Sequence, residues 1–272
     1  MRGVAGVLVV LCCVVAAPAS ASRPSPGVPP PGANDPACEP SAGRLPVVLV
    51  HGTRADMTIN WIYLAPELEA AGWCVWALDL PDRGEAPIED SADRLAGFVR
   101  QVRRVTGARK VSMVGHSQGG IVIRQYARYH GGAKMIDDAI AFGTPQRGYY
   151  TEPPGDLVDA AFNTDCAACY QMARGTPFMV RLNEGDPTPG RISWTQLITR
   201  NDEIATPLDS QGLPGELPLV ANVDLQEACP NHQAEHLAMA ASPLVRDWII
   251  DALERPRSAA DPARGDVTCP AW

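Results

Sequence analysis

The sequence predicts an α/β fold, with a mostly parallel central sheet and helices on both faces. Continuous apolar runs rich in Val, Ile and Leu alternate with stretches whose apolar residues recur at helical spacing. Uninterrupted apolar runs are typical of parallel strands buried on both faces, and the alternation with helices favours a doubly wound sheet. The chain of 272 residues is long enough for one domain with a sizeable core.

The predicted elements alternate along the chain. Residues 146–189 interrupt the pattern with prolines, glycines and a C-x-x-C motif, and we interpret them as an insertion over one end of the sheet. We predict strands over 45–50, 73–80, 109–115, 191–200 and 216–225, and a further strand with its exit loop over 135–145. Helices are predicted over 58–72, 91–107, 118–131 and 234–254.

The first 21 residues predict a signal peptide. Arg2 precedes an apolar run over 4–17 that is too short to span a bilayer, and Ala21 ends a small-x-small cleavage pattern. Cys12 follows Leu11, whereas a lipid-attachment cysteine normally follows a small residue. We therefore expect cleavage near Ala21 and release outside the cell rather than anchoring as a lipoprotein.

After residue 21, the amino-acid composition distinguishes a short leader from a long folded domain. Residues 22–37 are proline-rich and polar and predict a disordered leader, followed by a single catalytic domain over 38–272. The net charge of −8 disfavours nucleic acid and anionic membranes as partners. No later apolar stretch has the length of a membrane span. We expect a secreted protein without stable membrane insertion, and a monomer is favoured.

A G-x-S-x-G pattern carries the main chemical prediction. It reads Gly115-His116-Ser117-Gln118-Gly119 and lies directly between a predicted strand and a predicted helix. In a nucleophile elbow this turn raises the serine oxygen above the sheet edge, and side chains at Gly115 or Gly119 would collide with neighbouring elements. A plain connecting turn is the alternative. A phosphate-binding loop is disfavoured because no Lys follows the glycines.

A nucleophilic serine needs a histidine base that comes late in the chain in this kind of fold. Of the five histidines, only His232 and His236 come after the last predicted strand. We favour His236, which follows the last predicted strand, over His232, which lies beside Cys229 and Pro230 and is typical of a turn.

The base needs a carboxylate that fixes its tautomer. Asp202 follows the strand over 191–200, where this acid is expected, and Glu203 lies beside it. Asp209 and Asp224 are more distant alternatives. An aspartate at such a position can also serve only as a turn former or helix cap.

The oxyanion formed on attack needs hydrogen-bond donors. Gln118, the residue after the nucleophile, offers its backbone N–H. The turn after the first strand reads His51-Gly52-Thr53, so the second donor is expected to be the Thr53 N–H, with its hydroxyl as an additional candidate.

Six cysteines follow the predicted signal peptide, an even number that favours disulfides in an exported chain. Their spacing alone leaves fifteen connectivities open. The C-x-x-C motif favours a structural bridge over redox chemistry or a metal site, because a second C-x-x-C and a histidine at ligand spacing are missing. The six cysteines that follow the predicted signal peptide are Cys38, Cys74, Cys166, Cys169, Cys229 and Cys269.

With these residues placed, the chain resembles the secreted class 2 lipases of the α/β-hydrolase superfamily and, more distantly, the fungal lipase B type. The matching stretches include "LPVVLVHGT", "VGHSQGG", "AFGTPQRG", "TRNDEIATP" and "NVDLQEACPNHQAEHLAM". The resemblance implies a triad of Ser117, Asp202 and His236, an oxyanion hole at Thr53 and Gln118, and no metal or organic cofactor. It also implies the disulfides Cys38–Cys74, Cys166–Cys169 and Cys229–Cys269.

The predicted function is hydrolysis of acylglycerols or other apolar carboxylic esters through an acyl-enzyme. An acyltransferase with the same triad is the main alternative, and a non-catalytic binding protein is a further one. The same residues are also compatible with peptidase or thioesterase chemistry. The apolar residues expected near the site, unless they belong to the ordinary core, are Trp61, Ile62, Leu64, Tyr149, Tyr150 and Phe178.

Overall fold

The central sheet is parallel throughout. The structure, a computed structural model, describes residues 26–41, 43–150, 165–255, 257–263, 267 and 269. Its strands are β1 (Val47–Val50), β2 (Val75–Leu78), β3 (Val111–His116), β4 (Ile136–Phe142), β5 (Ser193–Ile198) and β6 (Val220–Asp224). They lie in the order β2-β1-β3-β4-β5-β6, and every neighbouring pair is parallel. The predicted α/β fold is confirmed.

Helices connect the strands and cover both faces of the sheet. The helix predicted over 58–72 is divided into two short helices, because a turn at Ile62 and Tyr63 interrupts it. The helices are α1 (Met57–Trp61), α2 (Leu64–Ala70), α3 (Ile88–Thr106), α4 (Gln118–Tyr129), α5 (Ala167–Met172), α6 (Pro177–Asn183), α7 (Leu225–Ala228) and α8 (Pro243–Glu254).

Alternate residues of each strand face opposite layers of the core. In β1, Val48 and Val50 pack in the cluster formed with α3 and α4, whereas Val47 and Leu49 pack in the cluster formed with α2 and α8. All four side chains are fully buried. A strand buried on both faces must be apolar at every position, which explains the continuous run in the sequence.

Part of the leader predicted to be disordered is packed on the sheet edge, so the prediction of disorder is wrong for residues 26–37. The side chain of Asn34 donates to the Ala77 carbonyl and accepts from the Ala77 N–H, each at 2.8 Å. The backbone N–H of Asn34 donates to Val75 at 2.9 Å. These bonds satisfy the open edge of β2, so the segment needs little apolar surface of its own.

The last helix begins later than the apolar pattern predicts. A 3₁₀ turn spans Ala238–Ala241, and α8 starts at Pro243 with Ser242 as its cap. Proline is favoured in the first turn of a helix because it has no N–H to satisfy there. His236 therefore lies in a loop that precedes the helix by several residues, rather than at its start.

The described residues form three disulfides, which are Cys38–Cys74, Cys166–Cys169 and Cys229–Cys269. In the ranges that the structure describes, no helix has both the length and the apolar character needed to cross a membrane. The predicted signal peptide over 1–21 lies outside the described residues.

A buried carboxylate links three strands at the end of the sheet where they begin. Asp138 on β4 accepts hydrogen bonds from Ser112 on β3, at 2.7 Å, and from Ser193 on β5. It is 5 % exposed, and burial raises its pKa from 3.8 to about 6. The folded state therefore holds the proton more tightly than the unfolded chain does.

We expect Asp138→Asn to remove one component of the pH dependence of stability. Because the folded-state pKa is raised, the contribution of Asp138 is fully present below pH 4 and is lost as the pH rises through 6. Asparagine can accept from one serine and donate to the other without carrying a charge. The unfolding free energy of the wild type should fall by about 3 kcal/mol relative to the variant between pH 4 and 7 in urea titrations. A pH-independent difference would contradict this assignment.

Candidate active site

Ser117 lies on the turn between β3 and α4 in a strained conformation. Its φ and ψ are 54° and −124°, a region that non-glycine residues rarely adopt. Backbone pairing holds this conformation, since the Ser117 N–H donates to the Phe142 carbonyl at 2.9 Å. The Thr144 hydroxyl also donates to the Ser117 carbonyl at 2.8 Å. The turn directs the Ser117 hydroxyl toward the end of the sheet where the strands finish.

The glycines that flank Ser117 leave no room for side chains. A Cβ atom at Gly119 would lie 2.0 Å from the carbonyl oxygen of Val50, and one at Gly115 would lie 2.6 Å from the backbone nitrogen of Gly120. Both neighbours are backbone atoms that cannot move aside cheaply. The close approach of α4 to β1 therefore requires the glycine pattern.

His236 lies between Ser117 and Asp202. Its Nε2 is 2.9 Å from Ser117 Oγ, and its Nδ1 is 2.9 Å from each carboxylate oxygen of Asp202. His236 and Asp202 are buried, at 2 % and 8 % exposure. With the hydrogen on Nδ1, Nε2 is free to accept the serine proton, which is the arrangement that a general base requires.

The loop after β5 orients Asp202. Its Oδ1 accepts from the backbone N–H groups of Ile204, at 2.9 Å, and Ala205, at 2.7 Å. Glu203 supports the histidine instead, because its carboxylate accepts from the His236 N–H at 3.2 Å. One carboxylate therefore contacts the ring of His236 and its neighbour contacts the backbone.

The residues that the sequence offered as alternatives to Asp202 and His236 have other partners. Asp209 forms an ion pair with Arg174 at 3.4 Å. Asp224 caps α7 and pairs with Arg200 at 2.8 Å. His232 is buried, and its carbonyl accepts from the Asn201 side chain at 3.0 Å. The hydrogen-bonded chain to Ser117 runs through His236 and Asp202.

The turn after β1 lies against Ser117. A Cβ atom at Gly52 would be 3.0 Å from Ser117 Cβ, so glycine permits this approach. The Gly52 N–H donates to Asn60 Oδ1 at 3.2 Å. Within the described ranges, the structure records no protein acceptor for the backbone N–H of Thr53 or of Gln118. These are the two donors expected from the sequence.

The Gln118 side chain connects the turn after β1 to a second turn, at Gly84. Its Oε1 accepts from the Thr53 hydroxyl at 2.7 Å, and its Nε2 donates to the Gly84 carbonyl at 2.8 Å. The Thr53 hydroxyl is thus engaged with Gln118 in this structure. Sequence reasoning assigned only the backbone of Gln118 and missed this bridge, since the partner Gly84 is distant in sequence.

His116 supports the backbone of His236. The His236 carbonyl lies 3.1 Å from Nε2 of His116, and because a carbonyl can only accept, that nitrogen carries the hydrogen. The His116 ring stacks on Phe142 with centroids 4.8 Å apart. Burial, followed by the neighbouring His236, lowers the pKa of His116 to about 3, so the ring is neutral at physiological pH. The sequence placed His116 in the motif without a role.

Gly143, which directly follows β4, is another residue that sequence reasoning missed. Its φ is +57°, and a Cβ atom there would lie 3.2 Å from His236 Nδ1 and 3.3 Å from Asp202 Oδ2. The only sequence signal is a glycine directly after a predicted strand in "AFGTP". The histidine and the carboxylate can meet because this position has no side chain.

We expect Gly143→Ala to lower kcat by about tenfold with little change in KM, because a 1 Å misplacement of reacting groups costs about a hundredfold and the new Cβ would displace its neighbours by only a few tenths of an ångström. Steady-state kinetics with a soluble ester would measure it. Gly107→Ala is the matched control, since Gly107 has a similar φ of +69° but has open space where a Cβ would lie. Equal losses in the two variants would indicate backbone strain alone.

An apolar cavity of about 220 Å³ opens onto Ser117. Of the aromatic and aliphatic residues predicted near the site, only Tyr149 lines it. Trp61, Leu64 and Phe178 are buried in the core instead, which is the alternative that the sequence left open. The apolar residues that line the cavity are Ala55, Ile59, Pro145, Tyr149, Met172, Ile204, Leu237 and Ala240.

The described residues include no group of three or more His, Cys, Asp or Glu side chains that could hold a metal ion. The groups at the site that can move a proton or bond to a substrate include the Ser117 hydroxyl, the His236 ring, the Asp202 carboxylate and nearby backbone N–H groups.

A parallel sheet with a strained serine on a strand–helix turn, and a histidine and an aspartate supplied by later loops, defines the α/β-hydrolase fold. The family model for this fold matches residues 46–159. The chain thus has the α/β-hydrolase fold that the sequence predicts.

Comparison with known proteins shows a likeness to particular enzymes that have this fold. The chain is 32 % identical over 131 residues to a triacylglycerol lipase of Pseudarthrobacter phenanthrenivorans and, over the same length, 32 % identical to one of Burkholderia plantarii. These matches cover 46 % of this chain and 40 % and 35 % of the two relatives, so the chain spans less than half their length.

A solved structure extends the likeness over more of the chain. The crystal structure of Aspergillus fumigatus lipase B superposes with a TM-score of 0.72, covering 89 % of this chain and 65 % of that one at 22 % identity. At this identity the likeness concerns the fold. Together, these comparisons confirm the predicted resemblance to lipases and esterases of the α/β-hydrolase superfamily.

Proposed function

We propose that the chain is a serine ester hydrolase that cleaves apolar carboxylic esters through an acyl-enzyme. The observation that carries the proposal is the hydrogen-bonded chain from Asp202 through His236 to Ser117, with both links at 2.9 Å, at the mouth of an apolar cavity. A chain of this kind activates a serine hydroxyl, and an apolar cavity suits an acyl group better than a charged one.

In the acylation step, His236 Nε2 accepts the proton of Ser117 as Oγ attacks the ester carbonyl. Asp202 stabilises the resulting imidazolium without taking its proton. The backbone N–H groups of Thr53 and Gln118 donate to the oxyanion. His236 then protonates the leaving alkoxide, and the same groups activate a water molecule that hydrolyses the acyl-enzyme.

The triacylglycerol lipase relatives support a lipid-like ester as the substrate class. The cavity lining supports the same class, since the described residues that form it include no Asp, Glu, Lys or Arg side chain. Acylglycerols and simpler apolar esters fit this description.

The test is a rate series on p-nitrophenyl esters with acyl chains from two to eighteen carbons. We expect saturable hydrolysis with a rate that depends on acyl length, because the acyl group enters an apolar cavity of limited size. Saturation on only the short, soluble esters would identify an esterase rather than a lipase. Failure to hydrolyse every ester in the series would contradict the proposal.

We also propose that the protein is exported and that the signal peptide is removed near Ala21. The three disulfides are consistent with an oxidising compartment. Intact mass measurement of protein recovered from the culture medium would test this. A secreted chain that retains residues 1–21 would contradict the assigned cleavage site.

A further inference from the structure

The C-x-x-C motif forms part of the wall of the cavity at the candidate active site. Cys169 and Met172, both on α5, line the cavity, and Tyr149 lines it beside them. The sequence identified this motif as a structural bridge without indicating what it stabilises. Its position at the cavity connects it with the selection of substrate.

The helix that carries this wall is too short to be stable alone. α5 has six residues, Ala167–Met172, whereas isolated helices in water need about 12–15 residues even with favourable sequences. The bond between Cys166 and Cys169 spans its first turn. The Cys166 sulfur also accepts from the Cys169 N–H at 3.1 Å and so caps the helix. The start of α5 is therefore held covalently.

The rest of α5 is held by hydrogen bonds to neighbouring segments. The Tyr149 hydroxyl donates to the Cys169 carbonyl, and the Tyr149 N–H donates to the Met172 carbonyl at 3.2 Å. At its outer side, Gln171 accepts from the Ile88 N–H at 2.7 Å. The disulfide and these bonds together hold α5 in place at the side of the cavity.

The proposed reacting groups lie on other elements. Ser117 follows β3, Asp202 follows β5 and His236 follows α7, while the expected oxyanion donors lie at Thr53 and Gln118. A change in α5 can therefore alter the cavity without displacing the proton-transfer chain. The other two disulfides differ in this respect, because none of their cysteines lines the cavity.

Building on the ester hydrolase function proposed above, we propose that the Cys166–Cys169 disulfide determines acyl-group specificity by holding α5 as a wall of the acyl cavity. Esters with acyl chains long enough to contact Cys169 and Met172 depend on the disulfide. A two-carbon acyl group is too short to reach the wall and does not depend on it.

The experiment compares kcat/KM for p-nitrophenyl octanoate and acetate. The test variant combines Cys166→Ser, which preserves a capping oxygen, with Cys169→Ala. The matched control combines Cys38→Ser with Cys74→Ala and removes the disulfide beside the start of β2, at the end of the sheet opposite to Ser117. Thermal unfolding of each variant verifies that it is folded at the assay temperature.

We expect the octanoate-to-acetate ratio to fall about tenfold in the test variant, because one lost methylene contact in an apolar pocket already has an effect of this order. The rate on acetate and the ratio in the control should stay within twofold of the wild type. An unchanged ratio in the test variant, an equal loss on both esters, or an equal shift in the control would overturn the inference.

A second variant keeps the inference testable if the first does not fold. Met172→Ala leaves the disulfide intact and enlarges the cavity at the wall, so the preferred acyl length should increase. An unchanged length profile would overturn the inference. If the wild type hydrolyses no ester, the proposed function itself fails, whereas an active wild type with an unaltered ratio in the variants contradicts only the role of the disulfide.

Discussion

Ser117→Ala should lower kcat for ester hydrolysis roughly a million-fold, as expected when the nucleophile of a serine triad is removed. The hydroxyl oxygen lies 2.9 Å from His236 Nε2, so its loss removes both the attacking atom and the partner of the base. The residual rate would come from substrate binding and the expected oxyanion donors alone. Initial rates on a soluble p-nitrophenyl ester measure the effect.

The substitution should leave the fold intact. Alanine retains the Cβ atom and experiences the same backbone strain at φ 54° that serine does. The Ser117 N–H donates to the Phe142 carbonyl and the Thr144 hydroxyl donates to the Ser117 carbonyl, and neither bond involves the Ser117 hydroxyl. An unfolding midpoint within a few degrees of the wild type is therefore the control. A folded variant that keeps more than about one hundredth of the wild-type kcat would contradict the assignment of the nucleophile.

Asp202→Asn should lower kcat about ten-thousand-fold, an effect of the order seen when a triad aspartate is replaced in this way. Oδ1 of Asp202 accepts from the Ile204 and Ala205 N–H groups. An asparagine would place its oxygen at these donors and its NH₂ group toward His236 Nδ1. That nitrogen would then have to accept, which moves the imidazole hydrogen to Nε2. The ring could no longer take the proton of Ser117.

The control for this variant is Asp224→Asn, which removes a carboxylate that caps α7 and pairs with Arg200 rather than with His236. It should lower stability slightly and leave kcat within twofold. A kcat for Asp202→Asn within tenfold of the wild type, measured on folded protein at the pH optimum, would show that another group orients the base.

The parallel sheet was predictable because burial on both faces forces a strand to be apolar throughout. The run "VVLV" in β1 satisfies this requirement so fully that few other structures are compatible with it. Helix boundaries were less predictable. The apolar pattern is continuous through residues 234–254, but Pro243 with its cap at Ser242 determines where α8 begins.

The meeting of Ser117, His236 and Asp202 was predictable for a different reason. Ser117 lies in a short motif, and Asp202 and His236 follow predicted strands in the order that this fold requires. The supporting residues have no such local pattern. Gln118 reaches Gly84 through its side chain, and Gly143 is needed only because His236 and Asp202 approach it in space. Contacts of this kind depend on the tertiary structure and leave little trace in a single sequence.

The order of the leader also depends on tertiary contacts that its own sequence does not indicate. Composition correctly describes residues 26–37 as unable to form a core, and we inferred disorder from it. The segment is nevertheless held by the edge of β2, where Asn34 provides both a donor and an acceptor to Ala77. A polar segment can be ordered by a partner whose open backbone groups it satisfies.

The most direct test of the account is the site at which a serine-reactive phosphonate modifies the mature protein. The probe should add once, and peptide mapping by mass spectrometry should locate the adduct on Ser117. The Ser117→Ala variant should remain unlabelled under the same conditions. An adduct on another serine, or an active enzyme that the phosphonate neither labels nor inhibits, would contradict the claim that Ser117 is the nucleophile activated by His236.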